Sequence, residues 1–131
     1  AKFDYQNQKI CVWGGADTSF WLTKFKDLKK QNVITNRTTA SMIKYVHNSW
    51  LATKVAFFHE LYSKIYNGTK YNEMIGILSM FENIGPSHMK VEKLGYDGSC
   101  FPKDVEAFTN FTGSEILKKV MEVNDELVRS R

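Results

Sequence analysis

The chain reads as mainly α-helical, with a small βαβ unit at its N-terminal end. Three observations predict this. A helical apolar period runs unbroken from about Thr38 to Tyr66. Two later stretches begin at recognisable helix starts, Pro102 and Ser114. Only Lys9–Trp13 and Val33–Thr35 are short and β-rich.

In chain order, residues 1–8 are polar and read as a loose lead-in. Lys9 to Trp13 is a strand, ended by Gly14-Gly15. Asp17 or Thr18 caps a helix to about Lys30, with Phe20, Trp21, Phe25 and Leu28 inward. Val33 to Thr35 is a second strand, which a βαβ connection makes parallel to the first. The long helix takes its cap from Asn36 or Thr38 and stops at Asn67-Gly68. Its apolar positions are Ile43, Val46, Trp50, Val55, Phe58, Leu61 and Ile65. Such a helix spans roughly 40 Å, more than a small core covers on one side. The exposed remainder points to a partner helix, as in a second copy of the chain.

Tyr71 to Phe81 is a shorter helix with Met74, Ile77, Leu78 and Phe81 inward and the Met80/Phe81 pair in the core. Glu82 to Gly98 is irregular, and its length suggests function. A helix follows from Pro102 to about Thr109. Ser114 caps the last one, through about Val128, with Ile116, Leu117, Val120, Met121 and Leu127 inward.

Composition narrows the function. With 131 residues, 43% hydrophobic and 24% charged, the chain supports a real core. It has no apolar run of membrane-spanning length and no leader pattern, so no membrane partner is expected. Net charge is +4, but the lysines are scattered and no basic stripe alternates with aromatics. Nucleic acid is therefore discounted as a partner. Two cysteines make no disulfide framework and no metal site, and a reducing, cytoplasmic setting fits. Cys11 lies in the first strand and reads as core.

The chemistry centres on Gly95-Tyr96-Asp97-Gly98-Ser99-Cys100-Phe101-Pro102-Lys103-Asp104. A glycine-broken loop delivers a cysteine to the start of a helix. The first-turn amides and the helix dipole favour its thiolate. Lys103 adds a positive charge, and Asp104 follows one turn later on the same face. A plain helix start with a small apolar cysteine would also satisfy this spacing. Upstream, Lys44-Tyr45-x-x-Asn48-x-x-Leu51-Ala52-x-Lys54 places Lys44 and Asn48 one turn apart, neighbours on one face. His47 is one residue off that face.

These two segments resemble the G-x-G-G-x-C-x-P-K-D and K-Y-x-x-N-x-x-L-A-x-K motifs of the UDP-glucose/GDP-mannose dehydrogenase family. They stand in the family's order and at about its separation. Val105-Glu106-Ala107-Phe108 and Val123-Asn124 are also similar to it, so the resemblance runs from about Lys9 to the end. It implies the helical central domain of a nucleotide-sugar dehydrogenase, residues 37–131, whose long helix forms a homodimer through residues 38–66. Residues 1–36 would then be a βαβ remnant of the NAD-binding domain. Gly14-Gly15 is not a dinucleotide-phosphate loop, so NAD would need a separate NAD-binding domain.

The family oxidises the CH₂OH of a UDP- or GDP-sugar to a carboxylate in two NAD-dependent steps, through a cysteine thiohemiacetal and thioester. By motif position Cys100 is the nucleophile. Lys44 and Asn48 donate to the oxyanion, and Asp104 orients or deprotonates the water, coupled to Lys44. Lys103 lies near the cofactor. Gly95, Tyr96 and Gly98 shape the loop against the sugar, and Lys90 matches a position near the nucleotide. Three residues depart from the family pattern. Ser41 stands for glutamate, Asp97 for glycine, and Asn83 for an arginine before Ile84-Gly85. They favour the alternative of an inactive stand-alone dimerisation or interaction module. A cysteine hydrolase would need His47, His59 or His88 as partner, and none has a local signature for that role.

Overall fold

A computed structural model describes residues 9–15, 17–26, 31–65 and 68–131. The lead-in at residues 1–8, Leu28, and the Tyr66-Asn67 end of the long helix lie outside the described residues. Among the described residues the order is β1 (Ile10–Gly14), α1 (Ser19–Lys24), β2 (Gln31–Thr35), α2 (Arg37–Lys64), α3 (Gly68–Leu78), α4 (Phe101–Thr112) and α5 (Glu115–Arg129). The fold is mainly helical, with one small parallel sheet, as the apolar periods predict. The Cα positions group into two compact units, Ala1–Lys44 and Tyr45–Arg131, with α2 running through the boundary.

In the first unit β1 and β2 pair in parallel, with Val12 opposite Val33. Gly14 ends β1 for a packing reason. A Cβ there would stand 2.6 Å from Ala40 Cβ, at the start of α2. Asn36 caps α2, its Oδ1 accepting from Thr39 N at 2.8 Å. Regular α1 ends at Lys24, with Phe25 as its C-cap, and residues 27–30 of the expected helix lie outside the described residues. Phe20 and Trp21 are not inward but exposed. With one helical turn and a half there is no length for an apolar stripe. The rings stack on each other instead, Trp21 on Phe25 and Phe25 on Trp13.

The second unit carries the core. Ala52, Val55 and Ala56 of α2 pack with Tyr96, with Val105 of α4, and with Leu117 and Val120 of α5. Phe101 and Phe108 flank this cluster. α4 ends on Gly113 in the left-handed conformation, whose N–H reaches Thr109 O at 2.8 Å. Ser114 then caps α5 by accepting from Leu117 N at 3.3 Å, so the two helices form a short-linked hairpin.

Four expected inward positions correct themselves here. Ile116 is exposed, because the buried face of α5 runs through Leu117, Val120, Asn124 and Leu127. Position 116 lies at the edge of that face, about 60° from its centre, in the first turn of α5. Ile77, Met80 and Phe81 are exposed too. Regular α3 stops at Leu78, so a helical period carried on to Phe81 no longer tracks one face. The helix begins at Gly68, and its fully buried residue is Tyr71. That hydroxyl donates to Phe58 O and Met89 O at 3.0 and 2.6 Å, pinning α3 to α2 and to the irregular segment.

Candidate functional site

Cys100 stands at the N-cap of α4, exposed, with Pro102 in the first turn. Its carbonyl accepts from Asp104 N at 3.0 Å, so the helix begins on the cysteine itself. Sγ lies 3.9 Å from Ser99 Oγ. Neither Cys11 nor Cys100 is in a disulfide. Cys11 is half-buried in β1.

One turn on, the Asp104 side chain is almost wholly enclosed. Its Oδ2 accepts from Asn48 Nδ2 at 2.7 Å, and Lys103 Nζ lies 3.0 Å from Oδ1. A buried carboxylate needs such partners, since an unpaired one is costly. The Asp104 carboxylate holds the Lys103 ammonium above the usual lysine range. Asn48 and Asp104 therefore meet, one from each motif. Lys44 falls in the first unit, one turn before Asn48 along α2.

The loop before Cys100 is built by glycine and by α5. Gly95 has φ +68 and Gly98 has φ +83, conformations that disfavour a side chain. A Cβ on Gly95 would also stand 2.8 Å from Asn124 Oδ1. Tyr96 is buried. Its N–H donates to Asn124 Oδ1 at 2.6 Å, and Asn124 Nδ2 donates back to Tyr96 O at 3.1 Å. Burial pushes the Tyr96 phenol up to about 12. Among the described residues, His88 is the one non-glycine at positive φ, so Asp97 occupies ordinary backbone. Its carboxylate bonds Lys93 Nζ and Arg131 Nη1, each at 2.7 Å. The aspartate that replaces a family glycine is thus tied down on the protein surface.

Lys90 is exposed and pairs with Glu92 at 3.1 Å. Two groups that sequence reasoning missed stand out. Lys54, buried, donates to Ile84 O and Gly85 O at 2.7 and 3.1 Å, and it lines an apolar cavity of about 370 Å³ with Trp50, Phe57 and Asn83. Desolvation holds its ammonium below the usual lysine range. Lys54 was visible as a motif letter and Asn124 as part of a family-like pair, but a letter does not say which carbonyl or amide it reaches. Of the histidines, His47 is exposed beside Asn48 and His59 is buried. His88 lies with its ring 5.9 Å from Phe101.

The described residues contain no cluster of three His, Cys, Asp or Glu able to hold a metal ion. None of their helices is long and apolar enough to cross a membrane. Gly14-Gly15 follows the apolar run of β1 without the G-x-G-x-x-G pattern of a dinucleotide-phosphate loop. The β1 glycine is used up by contact with Ala40, and Gly15 has nothing near it that a Cβ would disturb.

The second unit is thus a helical domain presenting a cysteine at a helix entrance, above an enclosed amide–carboxylate pair. Residues 38–126 match the family model "UDP-glucose/GDP-mannose dehydrogenase family, central domain". The UDP-glucose 6-dehydrogenase of Rickettsia prowazekii is 37% identical over 100 residues, 70% of this chain and 22% of that protein. UDP-glucose 6-dehydrogenase YwqF of Bacillus subtilis is 37% identical over 94 residues, covering 66% and 21%. A solved UDP-glucose dehydrogenase from Pyrobaculum islandicum superposes with a TM-score of 0.82 at 28% identity, over 95% of this chain and 31% of that one. The chain belongs to the UDP-glucose/GDP-mannose dehydrogenase family and carries its central domain. It spans about a fifth of the length of the curated relatives it matches.

Proposed function

We propose that this chain is the cysteine-bearing central part, residues 37–131, of a nucleotide-sugar 6-dehydrogenase. The observation that carries the reading is the Asn48–Asp104 hydrogen bond, which joins the two motifs one turn from Cys100. The substrate would be the sugar of a UDP- or GDP-sugar at its aldehyde stage. Cys100 Sγ adds to the carbonyl carbon, forming a C–S bond while the π pair moves to oxygen. Asn48 carries a second N–H on Nδ2 beyond the one given to Asp104, and this donor suits the new oxyanion. The motif assigns Lys44 the same task.

A nicotinamide cofactor, NAD by family, supplies the hydride acceptor, and it would be held by a separate NAD-binding domain. Lys103 marks where it would meet this chain. In the last step water attacks the thioester carbon, its proton passes to Asp104, and the C–S bond breaks to release the thiolate. Gly95, Tyr96 and Gly98 would face the sugar, and Lys90 the nucleotide. Residues 1–36 are read as the end of the NAD-binding domain. A homodimer through α2 is supported by Val46, Trp50 and Phe57, large apolar residues left exposed along it. Two cysteines outside any disulfide suit the cytoplasm.

The test is NADH formation from UDP-glucose or GDP-mannose, with and without an added NAD-binding domain. Turnover is expected only with that domain and is lost in Cys100→Ser. Absence of turnover in both arms favours the second reading, an inactive dimerisation module. The Asp97 carboxylate, spent on Lys93 and Arg131 where the family has glycine, supports that alternative.

A further inference from the structure

The loop that carries Cys100 is held from a helix that carries none of the reacting groups. Asn124 lies on α5, buried, with its amide bonded to both backbone polar groups of one loop residue. Oδ1 accepts from Tyr96 N at 2.6 Å and Nδ2 donates to Tyr96 O at 3.1 Å. Both polar groups of one residue are taken by both polar atoms of one side chain, which fixes position and rotation together. The approach is close enough that Gly95 must lack a side chain. The Tyr96 ring in turn packs edge-on against Phe101, the residue after Cys100, with centroids 5.9 Å apart. The four residues between Tyr96, gripped by Asn124, and Phe101, the first residue of α4, therefore have both ends fixed. The glycine at 98 turns the chain between them.

We propose that Asn124 is a positioning residue for Cys100. It registers the Tyr96 backbone, and through the Tyr96–Phe101 contact it sets where the thiol stands relative to the α4 amides. This rests on the reading of Cys100 as the reacting group. It adds a requirement on α5 that the two motifs do not contain.

The test uses the chain with Cys11→Ser, so that Cys100 is the one thiol. Iodoacetamide alkylation rates are measured at pH 7 for this parent, for its urea-unfolded form, and for Asn124→Ala, Asn124→Asp and Val120→Ala. Thermal midpoints are recorded alongside. Val120→Ala loosens the same core but leaves both Asn124 hydrogen bonds to Tyr96 in place, and so controls for general loosening. The folded parent is expected to react faster than the unfolded chain. Asn124→Ala should lose about two- to fivefold of that rate, the size of a first-turn dipole contribution. Val120→Ala should keep the parent rate. Asn124→Asp keeps the acceptor for Tyr96 N–H and loses the donor, so its rate should also fall. It decides the matter if the alanine variant does not fold. Parent rates in the Asn124 variants, or an equal loss in Val120→Ala, would overturn the positioning role alone. A folded parent no faster than the unfolded chain would overturn the Cys100 reading and this role with it.

Discussion

Asn48 and Asp104, 56 residues apart in the chain, share a 2.7 Å hydrogen bond from Nδ2 to Oδ2. The carboxylate is enclosed, so its donors matter for stability as well as for chemistry. Replacing Asn48 by Ala withdraws one donor from a buried charged group. The expected cost is about 1–3 kcal/mol. Urea unfolding should show a lower midpoint with an unchanged slope. The control Asn48→Asp should be worse, since it sets two carboxylates face to face.

Tyr71 links three segments through one hydroxyl. Burial raises its phenol from 10.0 to about 12. The native state therefore favours the protonated form. Its contribution is complete below pH 10, where the unfolded phenol is also protonated, and is lost as the pH rises towards 12. Tyr96, raised to about 12 by burial, adds to the same window. Tyr71→Phe should cost about 1–2 kcal/mol at pH 7. It should also flatten the fall in thermal midpoint between pH 10 and 12.

His59 behaves in the opposite sense. Desolvation first, with the nearby Arg131 charge, holds its imidazole below the usual 6.5, against an opposing hydrogen bond with the Lys90 backbone. The native state prefers neutral His59. Its contribution is complete above 6.5 and is lost as the pH falls through the depressed native value. His59→Gln cannot take up that proton. Its thermal midpoint should vary less than the parent's between pH 7 and 5.

For the dimer, the exposed rings of Trp50 and Phe57 give the readout. Trp50→Asp combined with Phe57→Asp places charge in the proposed contact. Sedimentation should show a monomer where the parent sediments as a dimer. Because both rings are already exposed in the single chain, circular dichroism should be unchanged. A parent that is monomeric at micromolar concentration would remove the dimer from the proposal.

The long helix was readable because nearly eight turns repeat one period, and its cap was readable because Asn36 precedes it. Ser114 announced α5 in the same way. Short elements were harder. α1 has too few turns for periodicity to select a face, so Phe20 and Trp21 were misplaced. Ile116, Met80 and Phe81 were misplaced because apolar identity was read as burial, whereas a small domain leaves much apolar surface in water. In the candidate site, the spacing of Cys100 and Asp104 on one helix was legible. The reach of Asn48 across to Asp104 could be named only through a motif. The grip of Asn124 on Tyr96 had no local signal at all, since it depends on how α5 folds back beneath the loop.

That last contact also has an order in time. Asn124 is synthesised 28 residues after Tyr96. At about 5–20 residues per second, roughly one to six seconds pass before the side chain is made. It must then clear the ribosome before α5 can close on the loop. During that interval the thiol is already part of the nascent chain, without the contact that seats it. On the same reading, the thiol of a newborn molecule reacts more slowly with electrophiles than that of a finished one, because the setting that favours its thiolate is not yet built.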